Sequence, residues 1–339
     1  MRVFPALCLF FALAAPMSAL ADSLRDHALS LFEPLPERIA TLDGRTVTEA
    51  EVALGQMLFF DPRLADDGAT ACTACHDPAT GGDGNRPMSM GHAWQGGPQN
   101  APTIFNATLN GARFWQGWDE DLAQAGTRDP YRAERIATPD RMVAVLASMP
   151  GYVAAFEAAF PGETNPIRPE TASRALAAFA STLLTPAPFD DWLRGEGALP
   201  DEARKGLALF IDRGCAGCHQ GVNLGGDSYH PLRVARVPGT EALPESGVCF
   251  ALEEADGAEY LYRAGSLRNI TRTSPYFSEG SVRSLPLAVQ IMGRSQLGTD
   301  LTEAEADLIT AFLATLQGRV PPITLPVLPD ETALTPAPN

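Results

Sequence analysis

"KGLALFIDRGCAGCHQGVNLGG", residues 205–226, runs an apolar, helix-like stretch into Cys-x-x-Cys-His, and "CTACH" at residues 72–76 carries the same five-residue pattern. A C-x-x-C-H run is the attachment signature of c-type haem. The chemistry sets the spacing. Two thiols add across the two haem vinyl groups as thioethers, and the adjoining histidine then lies beneath the iron and binds it through an imidazole nitrogen. The competing readings are a redox C-x-x-C pair or half a zinc site. Two full copies in one chain favour two covalent haem c groups. One is on Cys72, Cys75 and His76, the other on Cys215, Cys218 and His219.

The 339 residues are enough for about two domains. Residues 1–21 hold Arg2, an apolar run and the small-residue site Ala19-Leu20-Ala21, which reads as a secretory signal peptide cut before Asp22. The run is too short for a spanning helix, and no later segment is apolar for ~18 residues. An exported, periplasmic protein without membrane insertion is therefore expected. Loss of Arg2 takes the formal net charge from −16 to −17. Such a surface repels nucleic acid and anionic membranes and attracts basic partners in a salt-sensitive way. Of the six cysteines, Cys8 leaves with the signal, four sit in the two motifs, and Cys249 is left as a buried thiol.

What fills the sixth iron position decides function: a permanent strong ligand gives electron transfer, a displaceable one gives chemistry on a small molecule. After the second motif the usual ligands are His230 and Met292. Met292, in "QIMGRSQLG", has a loop-like setting before the last helix and is favoured, which makes the second haem a high-potential site. His230 in "SYHPL" reads as a loop histidine. For the first haem the candidates are His92, Met88 and Met90, all in the Gly/Pro-rich stretch 77–103. A stretch longer than ~15 residues with no regular structure is usually functional or disordered, and a histidine on it could leave the iron when it moves.

Helix signals dominate elsewhere. Residues 48–60 and 301–318 open on capping boxes, Thr48/Glu51 and Thr302/Glu305, with Gly318 as a stop. Residues 138–149 begin with Thr138 and Pro139, residues 169–184 place Leu176, Phe179, Ala180 and Leu183 on one face, and 200–214 lead into the second motif. A short hairpin at 248–263 is the one strand signal. A helix before each motif and another closing the chain is the cytochrome c pattern, met twice. The fold class is therefore all-α, with two cytochrome c-like domains at 22–190 and 191–320, a boundary near "PAPFDDWLRG" (186–195), and a Pro-rich tail from 321 to 339, extended or disordered.

The blocks "LGQMLFFDPRL", "CTACHDPATGG", "GHAWQGGPQNAPT", "FWQGW", "APFDDWLRG", "LRNITRTSPYF" and "IMGRSQLG", taken together over residues 50–320, resemble the bacterial di-haem cytochrome c peroxidases, a family that includes the MauG-type enzymes. The resemblance implies that His92 is the displaceable ligand of a low-potential, peroxidatic haem and Met292 the ligand of a high-potential one. It implies that Trp115 carries an electron between them. It makes Gln124 and Glu134, ten residues apart, the active-site pair, with Glu134 the acid–base residue; the wording around them departs from the family's, so spacing alone places them. It also implies a calcium ion, Ca2+, held between the domains by Asn100 and the backbone oxygens of Thr273 and Pro275. In MauG itself a tyrosine replaces the methionine ligand, so Met292 argues for a peroxidase over an oxidase acting on a partner protein's Trp or Tyr.

The activity so implied is reduction of hydrogen peroxide to water. Electrons would come from a small cytochrome c or cupredoxin, and the family suggests a homodimer. The competing readings are the MauG-like oxidase and a pure di-haem electron carrier with two permanently six-coordinate haems.

Overall fold

The computed structural model describes residues 17–89, 100–111, 138–231, 250–251 and 260–338. Among these residues it is helix-rich. The helices are α1 (Met17–Leu29), α2 (Glu49–Phe60), α3 (Pro139–Ala147), α4 (Pro150–Ala159), α5 (Pro169–Ala180), α6 (Pro188–Arg194), α7 (Asp201–Asp212), α8 (Leu285–Leu297) and α9 (Glu303–Ala314). Tyr260–Arg263 lies between Phe250–Ala251 and Tyr229–Pro231, antiparallel to both. The strand signal at 248–263 is thus real, with a third strand added.

Local chemistry sets the helix starts. Thr48 Oγ1 accepts from the Glu51 amide at 3.2 Å, and Glu51 Oε2 accepts from the Thr48 amide at 3.0 Å. Thr302 and Glu305 repeat the arrangement at α9, so amides that a helix start leaves unpaired are satisfied at both ends of the chain. Helix ends follow tertiary contacts instead. Helix α5 stops at Ala180, short of 184, and α9 stops at Ala314, short of the stop expected at Gly318. A Cβ on Gly318 would lie 1.9 Å from Thr185 O. Glycine stands there for a close backbone approach.

The architecture is built twice. Helix α2 crosses α5 where a Cβ on Gly55 would lie 1.8 Å from Ala175 O; α7 crosses α9 where a Cβ on Gly206 would lie 1.9 Å from Leu308 O. Four residues after each glycine comes a phenylalanine. Phe59 meets Phe179 and Phe210 meets Phe312, both with ring centroids 5.3 Å apart. Asn106 and Asn269 both sit at φ 59°, in the left-handed region that asparagine tolerates. The Asn106 amide donates to Leu183 O and the Asn269 amide to Leu316 O. Both side-chain Nδ2 groups donate to Thr185 Oγ1, each at 2.8 Å. Thr185 is fully buried and joins the two repeats.

Two large apolar clusters accompany the repeats. Leu54, Leu58, Leu146, Tyr152 and Phe156 belong to one; Phe189, Leu207, Phe210 and Phe312 belong to the other, together with Ala28 and Phe32 from α1 and the turn after it. The segment expected to join the domains, 186–195, is itself helical in α6 and buries Phe189 and Trp192. Asp190 of α6 forms a fully buried ion pair with Arg268, with contacts of 2.9 and 3.0 Å, and also accepts from the amides of Leu35 and Ala187. The Pro-rich tail is extended and held. Gln56 Nε2 donates to Thr324 O, Arg63 Nη1 to Pro329 O, Arg141 Nη1 to Ala337 O, and Thr332 Oγ1 to Ser148 O. It therefore lies along α2, α3 and the turns beside them.

Candidate haem centres

Each motif folds into one 3-10 turn, Cys72–Ala74 and Cys215–Gly217. The His76 amide donates to Cys72 O at 2.9 Å and the His219 amide to Cys215 O at 3.0 Å. In so tight a turn residues three and four positions apart share one face, so both cysteines and the histidine of each motif could reach one haem. The rings are then oriented from outside the motif. His76 Nδ1 lies 3.0 Å from Pro102 O, and His219 Nδ1 lies 3.1 Å from Leu224 O. A carbonyl can only accept, so Nδ1 carries the hydrogen and Nε2 is left with its lone pair for iron.

Burial keeps the His219 imidazole below its usual pKa, hence neutral, as a ligand must be. Burial also pushes the Cys215 thiol up to about 11 and raises Cys218. A redox C-x-x-C pair works through an accessible thiolate of lowered pKa. Both shifts in this second motif run the other way, against a redox pair.

Met292 faces the cavity lined by Cys215, Cys218 and His219, along with Phe210 and Leu285. It does not sit in a loop: it is within α8, capped by Ser284, with Leu287 N donating to Ser284 Oγ, and closed by Gly298 at φ 62°. The two glycines of "IMGRSQLG" give the segment its loop-like composition, but Gly293 is needed where a Cβ would lie 2.8 Å from Leu301 Cδ1. His230 is likewise not in a loop. It lies in the strand Tyr229–Pro231, with Nε2 2.9 Å from Ser228 Oγ, and lines the same cavity.

That cavity continues to Asp83, Asn100 and Pro102, so the carbonyl that orients His76 and the ring of His219 share one wall system. Asn100 Nδ2 donates to Pro275 O at 2.6 Å, its amide donates to Ser278 O, and Thr273 lines the same space. The three residues expected around calcium are thus brought together. Among the described residues no group of three or more His, Cys, Asp and Glu side chains could hold a metal; the Asn100 amide and the carbonyls of Thr273 and Pro275 are hard oxygen donors of the kind that suit Ca2+. Sequence reasoning missed Asp83, only 1% exposed, whose carboxyl burial pushes up to about 6. Its position in "GGDG" close after the first motif was the available signal. His92, Met90, Trp115, Gln124, Glu134 and Cys249 lie outside the described residues. Met88 is 48% exposed.

The residues present fit two haems: each motif offers its cysteines on a compatible turn and a histidine nitrogen committed to a carbonyl. Together with the repeated helix crossing they define a di-haem c-type cytochrome. A family model described as di-haem cytochrome c peroxidase matches residues 49–198. The chain is 41% identical to cytochrome c551 peroxidase of Pseudomonas aeruginosa over 342 residues, covering 99% of this chain and 98% of the relative. It is 38% identical to cytochrome c551 peroxidase of Nitrosomonas europaea, covering 88% and 90%. A solved MauG-like protein associated with microbial copper homeostasis superposes with a TM-score of 0.73 at 26% identity, covering 84% of this chain and 95% of that one. The chain belongs to the di-haem cytochrome c peroxidase family.

Proposed function

We propose that this chain is an exported, periplasmic peroxidase that reduces hydrogen peroxide to two waters. It takes two protons per turnover, and two electrons one at a time from a small cytochrome c or cupredoxin. It works as a homodimer of chains with two cytochrome c-like domains. The matched turns, with Nδ1 of His76 and His219 each held on a carbonyl, carry the reading. When bound, haem iron supplies an attachment point for peroxide in the first half and a one-electron store in each half.

The chain's own residues do the rest. Met292 would be a ligand of the second centre and raise its potential. His76 would hold the first centre, and His92 would be its displaceable ligand. Glu134 takes a proton from one peroxide oxygen and delivers it to the other, with Gln124 beside it to orient the substrate. Trp115 passes an electron between the halves. Asn100 and the carbonyls of Thr273 and Pro275 hold Ca2+ in the wall of the cavity that Pro102 and His219 line.

The test is steady-state oxidation of a reduced small cytochrome by peroxide. The wild-type holoprotein is expected to turn over, and Glu134→Gln to lose ~10²-fold or more in kcat with both haems attached. Turnover unchanged in that variant would remove Glu134 from the chemistry. A wild type that consumes no peroxide with any small donor would refute the peroxidase reading.

A further inference from the structure

We infer that Asp83 is the anionic member of the calcium site, its Oδ2 facing the ion directly or across one bound water. The inference rests on the reading of Asn100, Thr273 and Pro275 as calcium ligands and adds the charge that this set lacks.

Asp83 is 1% exposed. Its Oδ1 accepts from Asn85 Nδ2 at 3.2 Å, whereas Oδ2 is buried without a hydrogen-bond partner. Such an atom in a native interior calls for an explanation, and an ion or a water is the common one. Protonation does not resolve it, because a neutral carboxyl brings an O–H that itself needs an acceptor.

The surroundings point to a cation. Asp83 lines the same cavity as Asn100, Thr273 and Pro275. A Cβ on Gly81 would lie 2.4 Å from Asp83 Oδ1, 2.9 Å from Arg272 O and 3.1 Å from Thr273 Cγ2. Asp83 Oδ1, the Arg272 carbonyl and the Thr273 side chain therefore crowd one point, and the missing side chain of Gly81 lets them approach. Glu279, the other carboxylate on this cavity, already accepts from Ser278 Oγ at 2.7 Å. An amide oxygen and two carbonyls leave Ca2+ uncompensated. A carboxylate in reach supplies the hard, charged oxygen that such sites use.

The experiment is calorimetric titration of Ca2+ alone into the chelator-stripped di-haem protein, for wild type, Asp83→Asn, Asp83→Glu, Asn100→Ala and Glu279→Gln. Asp83→Asn is expected to bind at least about tenfold more weakly, Asp83→Glu to recover part of that loss, and Glu279→Gln to match wild type. If Asn100→Ala weakens binding but Asp83→Asn does not, the role of Asp83 is overturned and the calcium reading stands. If Glu279→Gln weakens binding and Asp83→Asn does not, the charge comes from the wrong carboxylate and the inference fails. If wild type binds no Ca2+, both fall.

Should Asp83→Asn not accumulate with both haems, a crystal structure of the wild-type holoprotein with Ca2+ decides. An ion within about 5 Å of Asp83 Oδ2, the reach of one bridging water, supports the inference. A more distant ion overturns it.

Discussion

Gly55→Ala tests whether the repeated helix crossing is what builds each haem-bearing half. In an isolated helix the change would stabilise by roughly 1 kcal/mol, since alanine is the better helix former. Here the new Cβ would lie 1.8 Å from Ala175 O, 2.4 Å from Ala175 C and 2.9 Å from Phe179 Cβ. Two of the three are backbone atoms, so no rotamer change relieves the clash. Helices α2 and α5 must separate by about 1.5 Å to restore an ordinary contact. Overpacking of this kind costs ~1–3 kcal/mol. Loosening the Phe59–Phe179 pair forfeits about 0.5–1.5 kcal/mol more. The crossing therefore outweighs the propensity gain, and the net loss is about 0.5–3.5 kcal/mol. Gly206→Ala, with its Cβ 1.9 Å from Leu308 O, is expected to behave alike. The assay is denaturant unfolding followed by far-UV dichroism and by the absorption of each haem. Gly55→Ala should disturb the first haem and Gly206→Ala the second. A variant as stable as wild type, or more stable, would refute the crossing as a tight constraint.

Three further outcomes follow from the same geometry. Asp190→Asn leaves Arg268 buried beside a neutral group and should cost about 3–5 kcal/mol in unfolding free energy, read by denaturant titration. Met292→His should lower the potential of the second haem in a redox titration while leaving the first unchanged, because a methionine ligand raises it. Removal of residues 322–339 should keep both haems attached. It should also lower stability by about 2–4 kcal/mol, through loss of hydrogen bonds from Gln56, Arg63, Arg141 and the 332–335 turn, again read by unfolding.

Features set by neighbours in the chain were the legible ones. The attachment turns are five residues long, and the helix starts at Thr48, Thr138 and Thr302 depend on hydrogen bonds to residues three positions away. What escaped was set by distant contacts. "PAPFDDWLRG" has the composition of a linker, yet Asp190 is fixed by Arg268, far along the chain. Met292 sits among glycines that suggest a loop, yet Gly293 serves the packing of Leu301. The tail is rich in proline, and the side chains that hold it come from residues 56–148. The "GGDG" setting of Asp83 hints at a tight turn, but only the fold brings it onto one cavity with Asn100, Thr273 and Pro275.

The two repeats share their crossing, their turns and their histidine carbonyl bonds, so the proposed difference between the centres rests on a second ligand to each haem. Met292 lines the cavity beside His219. His92 is the proposed removable partner of the first haem. The most direct test is the optical and paramagnetic resonance spectrum of the calcium-loaded protein after addition of one electron. The first haem is expected to change from six-coordinate low-spin to five-coordinate high-spin, and this form to consume peroxide. A first haem that stays six-coordinate and low-spin at every level of reduction would contradict it and leave an electron carrier in place of a peroxidase.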